Sequence, residues 1–124
     1  MLPKPINCFI GQLITLWFSD GRRMQLMDEF KFIDSDGFNW VVPKYAIVDG
    51  SSIPRFLWSL IGSPLVGKHR VASVIHDYYC VTKSEPHDKV HKMYRDACRC
   101  AGVGKFRSKL LYRGILLGGP KWKN

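Results

Sequence analysis

Two short stretches of the chain hold the residue types that do chemistry. The first is "VDGSSIPRFLW", Val48 to Trp58, and the second is "ASVIHDYYC", Ala72 to Cys80. Histidine changes charge near neutrality and serves as a general base or a metal ligand. His76 is therefore a candidate base or ligand, with Asp77 as its partner. Ser52, at the strand-to-helix junction, would help to complete the pocket. Asp49 would do so with it, and Gly50 and Arg55 would contact substrate. Backbone N–H groups at a strand-to-helix junction can stabilise developing negative charge.

Each stretch also has an architectural reading. Gly50 permits an unusual φ, Ser51 or Ser52 caps a helix, and Pro54 suits its first turn. His76 near a helix end could satisfy a backbone carbonyl, and its cationic form would suit the negative end of the helix dipole. Asp77 beside it is electrostatically misplaced there and demands a reason.

"HDKVH" sets His87 and His91 four residues apart on one helix face, with Asp88 beside the first. That spacing echoes the H-E-x-x-H of zinc proteases, but His87 falls at the helix start, where geometry is loose. A mixed site of His76, Asp77 and His91 is chemically better, since imidazole and carboxylate suit a divalent metal such as zinc, iron or manganese. "HDYYC" is similar to the H-D-x-C-Y of secreted phospholipases. The calcium loop and dense disulfides of those enzymes are lacking, which excludes that class.

The elements that position these residues divide the chain in two. From about residue 12 to 48 the pattern is β: "LITLWFS", "RRMQLMDEFKFID", "FNWVV" and "KYAIV" are rich in aromatic and branched residues, with turns at Asp20-Gly21 and Asp34 to Gly37. About four antiparallel strands are expected. From about 52 to 118 the pattern is helical. The spacing predicts helices over Arg55–Ile61, Lys68–Tyr79, His87–Ala101 and Lys105–Leu117, with a break at "GSPLVGKH" and a tail over 119–124. On the second helix Val71, Val74, Ile75 and Tyr78 form the expected core stripe. His76 falls on another face with Ala72, Ser73, Cys80 and His69. The third helix turns Val90, Met93, Tyr94 and Ala97 inward, and the fourth groups Phe106, Leu110 and Leu117 on one side. The expectation is a single α+β domain over 1–124, an N-terminal antiparallel meander packed by three to four C-terminal helices.

Composition narrows the partners. The chain has 124 residues, 46% hydrophobic and 23% charged, with a formal net charge of +9, so it is globular and favours anionic partners. Nucleic acid stays open, although no helix-turn-helix, zinc-finger or RNP pattern is present. Cys8, Cys80, Cys98 and Cys100 show no C-x-x-C pair, and a reduced, intracellular chain is the simpler expectation. The apolar run from Cys8 to Phe18 is interrupted at Gly11 and Gln12 and is too short to span a bilayer. Neither a signal peptide nor a transmembrane segment is expected.

Together, "VPKYAIVDGSSIPRFLWSLIGSPLVGKHRVASVIHDYYC" and "MYRDACRCAGV" resemble the domain of unknown function 1353 family, which is frequent in tailed-phage genomes and prophages. The family pattern runs V-P-x-G-[FY]-x-x-D-G-x-S-x-P-R, then G-K-x-R-x-A-[AS]-x-x-H-D, then a late helix ending in G-V. The resemblance covers about Val42 to Val103 and carries over Asp49, Gly50, Ser52, Pro54, Arg55, His76 and Asp77. The chain departs from it at Lys44 and at Tyr45-Ala46, which replaces G-[FY]. His91 stands where the family has an acid.

The resemblance implies a phage context and two classes of function. One is a hydrolase-like protein with a His-Asp centred pocket acting on a cell-wall or other anionic substrate. The other is a non-enzymatic virion component of tail or baseplate, or a host-interaction protein, in which the motifs are structural. Partners would be other phage structural proteins or an anionic polymer. The location would be the host cytoplasm, with incorporation into the virion in the second case.

Overall fold

A computed structural model of the chain describes residues 8–61 and 67–122. Residues 1–7, residues 62–66 of the expected break and the end of the tail lie outside them. The architecture is α+β, with antiparallel strands first and helices after. The strands are β1 (Phe9–Ile10), β2 (Thr15–Trp17), β3 (Met24–Leu26), β4 (Phe30–Ile33), β5 (Asn39–Val42) and β6 (Ile47–Val48). They form two three-stranded sheets, ordered β1-β4-β5 and β2-β3-β6.

The expected meander is thus split, and Asp28 supplies the reason. Met24, Leu26, Phe30 and Phe32 are all buried on alternate positions, so strict alternation would bury Asp28 too. A carboxylate without a partner cannot go there. Asp28 is exposed, its Oδ1 accepts the Glu29 N–H at 2.9 Å, and the chain bends. The inward register resumes at Phe30 in the other sheet.

The helices are α1 (Arg55–Ile61), α2 (Arg70–Thr82), α3 (His87–Cys100) and α4 (Lys105–Gly118). α2 packs on α3, α3 on α4, and α2 on β5 and β6. Tyr79 docks α2 to the sheet: its hydroxyl accepts the Val41 N–H at 2.9 Å and lies 3.2 Å from the Val41 carbonyl. Its ring meets Trp40 edge-on at 4.8 Å.

Two faces differ from expectation. On α2 the buried side is Ala72, Ser73, Val74, Ile75, His76, Asp77, Tyr79 and Cys80, while Val71 and Tyr78 are only half-buried. The helix is enclosed on both sides, so one apolar stripe does not describe it. On α4 the buried side is Ser108, Leu111, Gly114 and Ile115. Small Ser108 and Gly114 let neighbouring helices approach, and Phe106, Leu110 and Leu117 face solvent instead.

The cysteines also depart from the reduced expectation. Cys8 before β1 and Cys100 at the end of α3 form a disulfide with Cα atoms 6.5 Å apart, while Cys80 and Cys98 are free and buried. A separation of 92 residues gives no sequence spacing by which to foresee the pair.

Candidate functional site

Three elements converge on α2. The loop after β6 rises through Asp49 and turns at Gly50, whose φ of 77° is a conformation that favours glycine. The Ser52 side chain then points inward rather than capping α1. Its Oγ lies 3.0 Å from Nδ1 of His76. Nε2 of His76 lies 2.9 Å from Nδ1 of His91 on α3, and Nε2 of His91 lies 2.8 Å from the Pro120 carbonyl beyond α4.

The direction of this chain follows from its last member. A carbonyl only accepts, so a neutral His91 carries its proton on Nε2 and accepts at Nδ1. His76 must then donate from Nε2 and accept at Nδ1. The Ser52 hydroxyl is left as the donor to His76. Both imidazoles are held neutral: burial drives the pKa of His76 well below its ordinary value, and burial also lowers His91 against the opposing pull of the Pro120 carbonyl. The cationic His76 suited to a helix dipole is therefore not the form present.

Asp77 finds its reason in the loop. Its Oδ2 accepts the Asp49 N–H and its Oδ1 the Ser52 N–H, each at 3.1 Å. Burial raises its pKa, with those two N–H groups opposing. Asp77 therefore clamps the D-G-x-S loop onto α2 and does not orient His76. The Asp49 carboxylate accepts the Ser51 N–H at 2.9 Å in a local turn, so only the Asp49 backbone joins the cluster. The Ile53 N–H is held by the Gly50 carbonyl at 3.1 Å. The N–H groups of Asp49 and Ser52 are thus committed to Asp77 and those of Ser51 and Ile53 within the loop, so none of the four faces an incoming charge.

Cys80, one turn after His76, lies with Sγ 3.7 Å from both ring nitrogens of His76. Its thiol is pushed up to about 12 by burial. His76, Cys80 and His91 present donor atoms all within 4.8 Å of one another. Asp77, expected with His76 and His91 as a ligand, is not among them because both its oxygens are engaged. In the sequence Cys80 falls on the His76 face but not among the candidate ligands. The spacing from His76 to Cys80 is the one available signal.

The remaining candidates lie apart. Arg55 is exposed, its guanidinium 4.7 Å over the Trp58 ring. His87 does not share a site with His76: its Nδ1 lies 2.7 Å from the Trp122 carbonyl oxygen and 3.2 Å from the Trp122 nitrogen. Ser52, His76, Asp77 and His91 are all buried, the two histidines at 0% exposure. A cavity of about 300 Å³ opens elsewhere, where α2 and α4 begin, lined by Gly67, Lys68, His69, Gly104 and Arg107 among others.

The fold and site define an α+β protein organised round a buried serine–histidine–histidine hydrogen-bond chain. The chain belongs to the family described as protein of unknown function (DUF1353), whose model matches residues 24–115. Relatives include two uncharacterized proteins of Sinorhizobium fredii (strain NBRC 101917 / NGR234). One, y4jT, is 41% identical over 98 residues, covering 79% of this chain and 29% of its own length. The other, y4iH, is 32% identical over 120 residues, covering 96% of this chain and 50% of its own. The chain thus spans half or less of the length of these relatives. No solved structure matches it. Among the described residues, no helix is long and apolar enough to cross a membrane.

Proposed function

We propose that this chain is a non-enzymatic module of phage or prophage origin, in which the D-G-x-S and H-D motifs are interior architecture and a basic surface meets an anionic partner. One observation carries this reading. The buried side chains of Asp77, His76 and His91 are matched within the fold: Asp77 to two loop N–H groups, His76 to Ser52 and His91, His91 to Pro120. A satisfied, buried network of this kind rigidifies and specifies a fold. The partner would meet the positive half of the molecule. No acidic residue follows Asp96, and the cavity holding Lys68 and Arg107 lies at the starts of two helices, where the dipoles favour negative charge. Particle proteins and an anionic polymer are the partner classes. Mass spectrometry of purified phage particles tests the virion role, with peptides of this chain expected beside tail proteins. Their absence from particles ends that version. Polyphosphate binding that weakens with salt and with Lys68→Glu tests the surface.

The second reading, a hydrolase-like protein, is favoured by the one-way chain from Ser52. Its hydroxyl donates to His76 as a serine nucleophile does to its base, and His91 orients that base. A cell-wall bond is the substrate class. Turnover of peptidoglycan or ester substrates by the purified protein, lost in His76→Ala, is the expected result. Equal turnover by both proteins, or none by either, would end it for those substrates.

A further inference from the structure

We infer that His76, Cys80 and His91 form a binding site for zinc(II) that clamps α2 to α3. The donors suit the ion: zinc is bound by imidazole nitrogen and thiolate sulfur, and three protein ligands leave the fourth tetrahedral position to a water. The spacing is close to what such a site needs. Zn–N distances of about 2.0–2.1 Å and Zn–S of about 2.3 Å place neighbouring donors roughly 3.3–3.6 Å apart in a tetrahedron. Here His76 Nε2 and His91 Nδ1 are 2.9 Å apart, and Cys80 Sγ is 3.7 Å from His76 Nε2. The sulfur is equidistant from both ring nitrogens of His76, so Cys80 must turn about its Cα–Cβ bond to face a shared ion.

The outer partners match a metal site as well. Ligating histidines usually give their second ring N–H to a carbonyl, carboxylate or other acceptor, which fixes the tautomer. His91 already donates from Nε2 to Pro120, leaving Nδ1 for the ion. His76 has the Ser52 hydroxyl at Nδ1.

The proton balance is explicit. On binding, Cys80 releases one proton to solvent and forms the Zn–S bond. His76 moves its proton from Nε2 to Nδ1, the Ser52 hydroxyl turns to accept a hydrogen bond from that Nδ1–H, and two Zn–N bonds form. The ion therefore replaces the hydrogen bond between the two histidines. Metal occupancy and activation of Ser52 by His76 exclude one another.

Cobalt(II) titration of the full chain tests this. The expected result is a thiolate-to-cobalt charge-transfer band in the near ultraviolet with intense tetrahedral bands in the visible, all abolished by zinc(II). Cys80→Ser should remove the near-ultraviolet band, His91→Ala should remove binding, and Cys98→Ser should leave the spectrum unchanged. Because His91→Ala can unfold the protein, the wild-type melting temperature is also measured with zinc(II) and with a chelator, and zinc is expected to raise it. No cobalt spectrum and no zinc-dependent rise in melting temperature would overturn the site. So would a cobalt spectrum that Cys80→Ser leaves intact. Loss of hydrolysis in His76→Ala bears on the serine reading alone, since these spectra require no turnover.

Discussion

Ser52 and His76 stand 24 residues apart in sequence and 3.0 Å apart in space, hydroxyl oxygen to Nδ1. The contact joins the loop after β6 to the middle of α2, in the same place where Asp77 receives the loop backbone. Sheet and helices are therefore connected through polar groups as well as through the core.

Removing the Ser52 hydroxyl leaves Nδ1 of a fully buried histidine with only the Cys80 thiol, a weak donor at 3.7 Å. An orphaned buried polar atom costs about 1–3 kcal/mol. Ser52→Ala should lower unfolding stability by that amount in urea titration, and Ser52→Thr should restore part of it. A Ser52→Ala protein as stable as wild type would refute the contact.

Asp77→Ala strands two N–H groups, those of Asp49 and Ser52. The expected cost is about 2–4 kcal/mol, larger than for Ser52→Ala. Hydrogen exchange should localise the damage: the Asp49 and Ser52 amides should lose protection while α3 amides keep theirs at a given global stability.

The buried histidines set a pH dependence. Both have folded pKa values below the ordinary value of about 6.5. The folded state therefore binds fewer protons than the unfolded one at acid pH. The stability they contribute is full above about 6.5 and is lost as pH falls below it, by up to about 1.4 kcal/mol per pH unit for each histidine. Asp77, with a raised pKa, has the opposite sign: its contribution is present at acid pH and fades as pH rises above the ordinary carboxyl value. Calorimetric melting from pH 8 to 5 should show a flat region and then a decline starting near 6.5. With the opposing Asp77 contribution removed in Asp77→Asn, a melting temperature that rises on acidification through this range would contradict neutral buried histidines.

Tyr45 has a φ of 76°. The left-handed region costs an L-residue about 1–2 kcal/mol, and glycine escapes this at some loss of chain entropy. The Tyr45 ring is exposed, so little packing is lost. Tyr45→Gly should stabilise the protein by about 0.5–1 kcal/mol, whereas Tyr45→Ala should not.

Thiol titration in denaturant distinguishes the cysteines. With Cys8 and Cys100 paired and Cys80 and Cys98 free, two thiols should react before reduction and four after it. Four reactive thiols in protein kept from reductant would refute the pairing.

Helix positions were the most legible part of the sequence, because a period of 3.6 with Pro54 and Gly102 as punctuation leaves few alternatives. The inward set of α3 was legible for the same reason. On α4 the period was present but its direction was not, since Ser108 and Gly114 are buried for their small size. The division into two sheets rests on one residue, Asp28, whose place in an otherwise regular alternation was read through. The convergence of Ser52 with His76 and Asp77 could be expected from the paired motifs. The direction of the hydrogen-bond chain could not, because it is fixed by the Pro120 carbonyl, 29 residues from His91. The tail likewise gave no sign that Trp122 would hold Glu85 and His87. Its indole donates to the Glu85 carbonyl at 2.9 Å, and its backbone meets His87.

The interleaving of the two sheets determines where the chain can be divided without loss of pairing. β1 pairs with β4 and β2 with β3, while β3 reaches on to β6 and β4 to β5. A recombination breakpoint anywhere between β2 and β5 severs at least one pairing in each sheet. Hybrids joined within that interval would inherit two broken halves, whereas hybrids joined outside the β-rich region keep both sheets intact. The smallest stretch that keeps both sheets whole is therefore the entire strand array, β1 to β6, and Ser52, His76 and Asp77 tie α2 to its end.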